Sequence, residues 1–536
     1  MPAAQSPHVL AIDLGTSACK VALVSTRGEV VAYDEEETAP ILLPGGGAEQ
    51  DPEKWWEVIG RVSRRLVGSG VVRADSVQAV CATAQWSGTV AVDGAGRPLR
   101  NAIIWMDTRG ADQAVRVSRG LFNIEGYGVT KLLRWIRLTG GAPGKSGKDP
   151  IAHILWLREA EPVTYRDTKV FLEPKDYLNL RMTGRSAASF DSIALHWVTD
   201  NRNPSKVTYS PSLLRAVGME RDKLPDLLPA TYVLGPLSRL AASDLGVPQS
   251  IPVVVGTPDV QSAAIGSGAT GDFQAHLYVG TSSWLTCHVP FKKTDLFHNI
   301  ASLPSAIPGR YLIADEQETA GACLSFLRER MFLADDGLVP AGCLVDAKAD
   351  AYRNFDTLAA SASPGAGGVL FTPWLYGERT PVEDPSIRGG FHHVSLSTTR
   401  AQLVRAVFEG VALNSRWLLG VVERFCGHRL DPIRFIGGGA RSKVWGGIFA
   451  DILDRRVEAV EDPVNANARG AGMLAAAALK SVTFDEMSDR IPVAAGFDPD
   501  PLTRPLYDEL FREFVATYRR DRKPHRQMAR TLPTGS

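Results

Sequence analysis

Val9-Leu10-Ala11-Ile12-Asp13-Leu14-Gly15-Thr16-Ser17, near the start of the chain, and Leu277-Tyr278-Val279-Gly280-Thr281-Ser282, in its second half, share one pattern. Each is a short apolar run of the kind that forms a buried strand, followed by Gly-Thr-Ser. The glycine permits a sharp turn, and the hydroxyl residues stand where N–H groups become free. Turns of this kind form concavities of N–H donors that bind phosphate oxygens. The two lie 265 residues apart (280 − 15), about half of the 536-residue chain. That spacing predicts a duplicated domain gripping one nucleotide between its halves.

Working outward, strands alternate with helices in both halves. Residues 9–12, 20–25 and 30–33 read as strands, as do 77–82 and 89–92. Asp51, Pro52 and Glu53 open a helix that runs to about Leu66. In the second half, 251–255, 277–279 and 433–436 read as strands, and 402–419 and 469–479 as helices. Alternation of this kind predicts an α/β fold. A chain of 536 residues is too long for a single core, so two domains are expected. We place them at residues 8–268 and 269–495, followed by a C-terminal helix and basic tail at 496–536, with 519–530 read as a solvated face.

Composition narrows the function. Lys plus Arg equals Asp plus Glu at 59 each, so no global field draws nucleic acid or an acidic membrane. Residues 1–7 are small and polar, and no apolar run is long enough for a signal peptide or a bilayer span. The expected location is cytoplasmic. Cys19, Cys81, Cys287, Cys323, Cys343 and Cys426 include no Cys-x-x-Cys pair and read as buried, reduced thiols.

Several residues carry chemistry. Asp13 stands at a strand end beside the first turn, where a carboxylate serves Mg²⁺, often through water. Lys20 is within reach of a terminal phosphate. Gly437-Gly438-Gly439-Ala440 follows a strand and precedes a helix starting near Ser442, which suits close approach of a nucleotide. It is not a dinucleotide fingerprint, because a Gly-x-Gly-x-x-Gly frame from Gly437 ends on Ser442. Residues 140–150 resemble a P-loop in composition, but Thr139 stands where its first glycine belongs. Asp259 follows the strand 251–255 and precedes small residues. It reads as a general base for a hydroxyl, as the N-cap of the next helix, or as both. Gln85, Trp86 and Ser87, with Trp105, Asp107 and Arg109, offer the flat apolar walls and fixed polar heads of a sugar site. The same residues also fit core tryptophans and a surface ion pair.

Together these residues resemble the FGGY family of carbohydrate kinases within the actin-like ATPase superfamily, from about Val9 to about Leu479. Glu49-Gln50-Asp51-Pro52-Glu53-Lys54-Trp55-Trp56, Pro174-Lys175-Asp176-Tyr177-Leu178 and Gly377-Glu378-Arg379-Thr380-Pro381 are similar to its xylulokinase branch, as are 436–442 and 450–452. The resemblance implies two actin-like (ribonuclease H-like) domains with a nucleotide and sugar cleft between them. It implies transfer of the γ-phosphate of MgATP to a sugar or polyol hydroxyl, with D-xylulose as leading substrate and ribulose, another ketose or a polyol as alternatives. Asp259 matches the catalytic Asp. Asp13 matches the metal position, and Gly15, Thr16, Ser17 and Lys20 belong to the first phosphate motif. Gly280, Thr281 and Ser282, then Gly321 and Gly437–Ala440, match nucleotide contacts. Gln85, Trp86, Ser87, Trp105, Asp107 and Asp259 fall where the family lines its sugar pocket. A small-molecule sugar is the expected partner, with a homodimer allowed. The chain departs from the pattern at Trp86-Ser87, where xylulokinases carry Met-His, at Val260 for Asn, at His153 for Lys and at His393 for Gly. An actin- or chaperone-type ATPase and a non-catalytic sugar sensor are the competing readings. The sugar-pocket residues speak against the first. Retention of Asp13, Asp259 and both turns speaks against the second.

Overall fold

The computed structural model describes residues 7–336 and 341–531, with no account of the side chains of 341–349. Cys343 and the last residues of the basic tail therefore lie outside the described set.

Two mixed sheets organise the chain. In the first, strands lie in the order Val233–Pro236, Pro252–Pro258, Val77–Ala84, His8–Leu14, Ala18–Ser25, Val30–Glu37. His8–Leu14 runs antiparallel to Ala18–Ser25 and parallel to Val77–Ala84. In the second sheet, Thr294–Asp295 and Ile300–Pro304 flank one edge. The order then continues Tyr311–Ala314, Ser283–Val289, Ala275–Val279, Ile433–Ile436, Val457–Val460, Val493–Phe497. Ala275–Val279 is antiparallel to Ser283–Val289 and parallel to Ile433–Ile436. Six strands therefore correspond one to one. Both antiparallel hairpins end in a Gly-Thr-Ser turn, and both parallel pairs end at the same side of their sheet. The last edge strands differ in origin: Val233–Pro236 precedes its neighbour in the chain, whereas Val493–Phe497 follows its own.

The central strands are buried on both faces, as expected of parallel strands covered by helices. The Pro52–Gly68 helix forms as its sequence signals: Asp51 accepts from the Glu53 N–H and Pro52 occupies the first turn. Its Trp55, Ile59 and Val62 pack with Leu10, Ile12 and Val21. In the second half the Arg400–Cys426 helix begins with a Thr399/Gln402 capping box and ends at left-handed Gly427. It is longer than the predicted 402–419, because its buried face continues through Val422 and Phe425.

Two small-residue helices join the halves. Asp259–Gly266 leaves the first sheet, and Ala466–Ala478 lies against it. A Cβ on Gly266 would come within 1.8 Å of the Ala466 carbonyl oxygen, and one on Gly470 within 1.8 Å of the Ser262 carbonyl oxygen. Ala468, Ala471 and Leu474 pack with Val9, Ala11 and Val24 of the first sheet. Ala263 in turn packs with Trp284 and Ile436 of the second. Each half thus lends a helix to the junction, which connects the two sheets that carry the site.

The strand expected at 89–92 is present as Val90–Val92 and pairs with Val170–Leu172 in a two-stranded ribbon. Two expectations are corrected. Most of the basic tail continues the Arg504–Thr531 helix, anchored by Tyr507, Phe514 and Tyr518, the last two against Trp374 and Trp417. Asp259 is the first residue of its helix, with Pro258 as N-cap. Among the described residues five cysteines are free and buried, and no helix is long and apolar enough to cross a membrane.

Candidate active site

The site lies where the parallel strands of both sheets end. On the first sheet, Asp13 ends the opening strand and is 9% exposed. Its Oδ1 has no hydrogen-bond partner. Burial pushes its carboxyl above the usual range, against the pull of Lys20 and Asn467. A buried, unpartnered carboxylate oxygen beside a phosphate-type turn fits a Mg²⁺ ion that keeps most of its water and takes one protein ligand. No group of three or more metal-ligating side chains exists among the described residues, so a cage of protein ligands is absent there.

Asp259 follows the strand Pro252–Pro258, which is separated from the Asp13 strand by Val77–Ala84. Burial raises its pKa to about 7, and the fields of Asp13 and Glu316 add to the shift. Its Oδ1 accepts from the Val260 N–H at 2.8 Å, which fixes the rotamer. A carboxylate tuned near neutrality is suited to proton transfer at physiological pH.

The sugar-type residues form one connected wall. The Thr16 hydroxyl donates to Gln85 Oε1 at 3.2 Å and accepts from Trp105 Nε1 at 2.8 Å. Gln85 Nε2 donates to Gln50 Oε1, and Gln50 Nε2 to the Thr16 carbonyl, both at 2.7 Å. Thr16 therefore belongs to this wall through its side chain, whereas its motif suggested a phosphate role. Trp86 is fixed by its Nε1 donating to the Ser192 carbonyl at 3.0 Å. Ser87 adopts φ of 67°, and its hydroxyl donates to the Lys148 carbonyl at 2.7 Å.

Two residues expected to touch ligand have partners within the protein. Asp107 is 1% exposed. One of its carboxylate oxygens accepts from the Ala48 N–H, the other from the Arg109 N–H, and the Arg109 guanidinium donates as well. With its oxygens so engaged, Asp107 braces the wall from behind. Lys20 donates to the Val464 carbonyl at 3.1 Å and lies 3.8 Å from Glu35. It ties the halves together and biases Asp13 electrostatically, and its ammonium keeps further donors unengaged among the described residues.

On the second sheet the site is made of backbone. Among the described residues no backbone carbonyl accepts from the N–H groups of Thr281 or Ser282. The Gly321 N–H donates to the Gly280 carbonyl at 2.8 Å, and a Cβ on Gly321 would sit 2.4 Å from that oxygen. Gly437 has φ of +86° and lies against the Val279 carbonyl. Gly439 packs on Val279, but a Cβ on Gly438 meets nothing within 4 Å. Gly438 therefore borders open space at the strand end, followed by Ala440 and by Ser442, which caps the next helix.

Sequence reading missed a group of charged residues contributed by both halves. Lys148 lies 3.5 Å from Glu318, Arg379 pairs with Glu316, and Arg379 Nε is 3.3 Å from Glu318. Glu378 accepts from the Glu318 and Arg379 N–H groups and from Asn414, and burial raises its pKa to about 8. Tyr278 stacks on Trp284 at 3.9 Å, and burial with the fields of Asp259 and Asp13 raises its pKa. Tyr278, Lys148, Glu378 and Arg379 lie in stretches already quoted, but without a role assigned to them, and nothing marked Glu316 or Glu318. A cavity of about 320 Å³ bounded by Arg416, Glu423, Arg455 and Phe511 shares no residue with the cleft.

The two sheets share one strand order with Gly-Thr-Ser turns at matching positions, the frame of a two-domain carbohydrate kinase fold. The chain belongs to the FGGY family of carbohydrate kinases: residues 8–266 match its N-terminal domain and 275–479 its C-terminal domain. It is 30% identical to the xylulose kinase of Escherichia coli over 507 residues, covering 92% of this chain and 94% of the relative. It is 25% identical to the gluconokinase of Bacillus subtilis, covering 90% of each. Among solved structures, xylulose kinase from Rhodospirillum rubrum has a TM-score of 0.80 at 25% identity, covering 97% of this chain and 100% of that one. The protein is thus an ATP-using phosphotransferase with an alcohol group as acceptor.

Proposed function

We propose that this kinase phosphorylates a ketose, with D-xylulose the leading substrate, and that Asp259 is its general base. The observation that carries the reading is Asp259 itself: a carboxylate with pKa about 7, at a strand end between the aromatic wall of one half and the glycine turns of the other. The kinship with xylulose kinases supports the ketose; the gluconokinase relative makes an aldonate the alternative to test.

In this reading the sugar lies on the wall of Gln85, Trp86 and Trp105, and ATP on the turns 280–282 and 437–440. Asp259 orients the attacking hydroxyl and takes its proton as the new O–P bond forms; the bond to the β-phosphate oxygen breaks and ADP leaves. The transition state is loose, so positioning and charge neutralisation carry most of the catalysis. Mg²⁺, when bound with ATP, neutralises phosphate charge, and Asp13 is the residue that would hold it. The N–H groups of Thr281 and Ser282 offset charge on the same phosphates.

The test is ADP release from the purified protein with MgATP and, separately, xylulose, ribulose, gluconate and polyols. A preference for xylulose supports the reading. A preference for gluconate replaces the ketose with an aldonate.

A further inference from the structure

We propose that Lys148 is a specificity-determining residue of the sugar site, donating from its ammonium to a sugar oxygen. This rests on the proposal that the sugar lies against Gln85, Trp86 and Trp105. Lys148 sits in the 140–150 connection, where nothing in the sequence marks it beyond a failed P-loop frame. Its place in the fold is set by three contacts. Ser87, on the sugar wall, donates to its backbone carbonyl at 2.7 Å. The ammonium lies 5.5 Å from the Trp105 ring centroid in the first half and 5.9 Å from that of Tyr376 in the second, within cation–π range of both. Its side chain is 13% exposed.

An ammonium carries three donors, and the protein engages one of them, with Glu318 at 3.5 Å. That contact is long for a charge-assisted hydrogen bond, which runs near 2.7–2.9 Å. Glu318 also serves Arg379. The pair therefore does not account for a lysine held out of water. Burial lowers the Lys148 pKa, and the Arg379 charge adds to this; such a group gains from any oxygen that meets its remaining donors. A polyhydroxylated ligand on Trp105 presents such oxygens. The arrangement also gives Ser87 a role. Its hydroxyl does not reach for sugar but seats the backbone that presents Lys148, so the donor at this corner of the pocket is an ammonium from a loop.

The test uses the full-length enzyme and whichever sugar has the highest kcat/KM in the screen, so a preference for gluconate or a polyol overturns the ketose assignment and leaves the Lys148 test intact. Lys148→Met keeps the apolar stem and removes the donors. It should raise the sugar KM about tenfold or more, with kcat changed less than about threefold and the KM for ATP less than twofold; Lys148→Arg should recover part of the loss. Glu318→Gln breaks the ion pair but keeps the ammonium, and should change the sugar KM less than threefold. An unchanged sugar KM in Lys148→Met overturns the proposal. So does an equal loss in Glu318→Gln, which makes Lys148 a tie between the halves. If Lys148→Met does not fold, Lys148→Gln and the sugar-induced rise in Tm decide the same question.

Discussion

The same point in the two duplicated sheets is built from opposite materials. Where the first parallel strand of the N-terminal sheet ends, at Ala84, the chain continues Gln85-Trp86-Ser87. Where its counterpart ends, at Ile436, the chain continues Gly437-Gly438-Gly439. Two residues before the turn glycine stands Asp13 in one half and Tyr278 in the other. One half therefore presents large side chains with fixed polar heads, and the other presents bare backbone. A sugar needs walls and directed hydrogen bonds; a phosphate chain needs N–H groups approached closely. Duplication supplies the frame, and the residues just past each strand end divide the labour.

The comparison breaks most visibly at Asp259, the one reacting group in this account. Asp259→Asn keeps the shape and removes the base, so kcat should fall roughly 10²–10⁴-fold while ADP binding stays within a few-fold. Near-normal turnover on the preferred sugar would remove Asp259 from its role. A smaller effect follows from its pKa of about 7. The base works only when ionised, so kcat/KM should fall about tenfold per pH unit below that value. Glu316→Gln removes one of the negative charges that raise it, and should move this limb to lower pH; an unmoved limb would assign the titration to another group.

The smallest effect is on stability. The folded pKa of Asp259 lies above its ordinary 3.8, so the native state binds more protons than the unfolded one between about pH 4 and pH 7. Stability falls as pH rises through that window, and the cost is fully present above it. Asp259→Asn should therefore raise Tm at pH 8 by about 2 °C or more, with little difference near pH 4. Equal shifts at both pH values would point to a cause other than charge burial.

Much of this division was legible in the sequence. Apolar runs ending in Gly-Thr-Ser or Gly-Gly-Gly locate buried strands and backbone turns without tertiary information, because both depend on local residue type. Asp259 stood out because a lone carboxylate followed a strand and preceded small residues. The cleft's far rim was not legible: Lys148, Glu318 and Arg379 come together across a separation of 231 positions (379 − 148), and no local period records that. The protein partners of Asp107 and Lys20 were not legible for a related reason. These partners, the Ala48 N–H and the Val464 carbonyl, are backbone groups, and sequence does not say which backbone a side chain will meet. The C-terminal helix was expected, but its continuation through 519–530 was read as basic tail, since the exposed basic residues dominate the composition there while the anchoring aromatics lie earlier.

The central claim, that one half holds sugar by side chains and the other holds nucleotide by backbone, is tested most directly by calorimetric titration of Gly438→Val with ADP and, separately, with the preferred sugar. Gly438 borders open space, so the new side chain should leave the fold intact and occupy the nucleotide's approach. The account predicts ADP affinity reduced about tenfold or more, a loss of about 1.4 kcal/mol, with sugar affinity within twofold of the native enzyme. Sugar binding lost with ADP binding kept would contradict the assignment of the two halves.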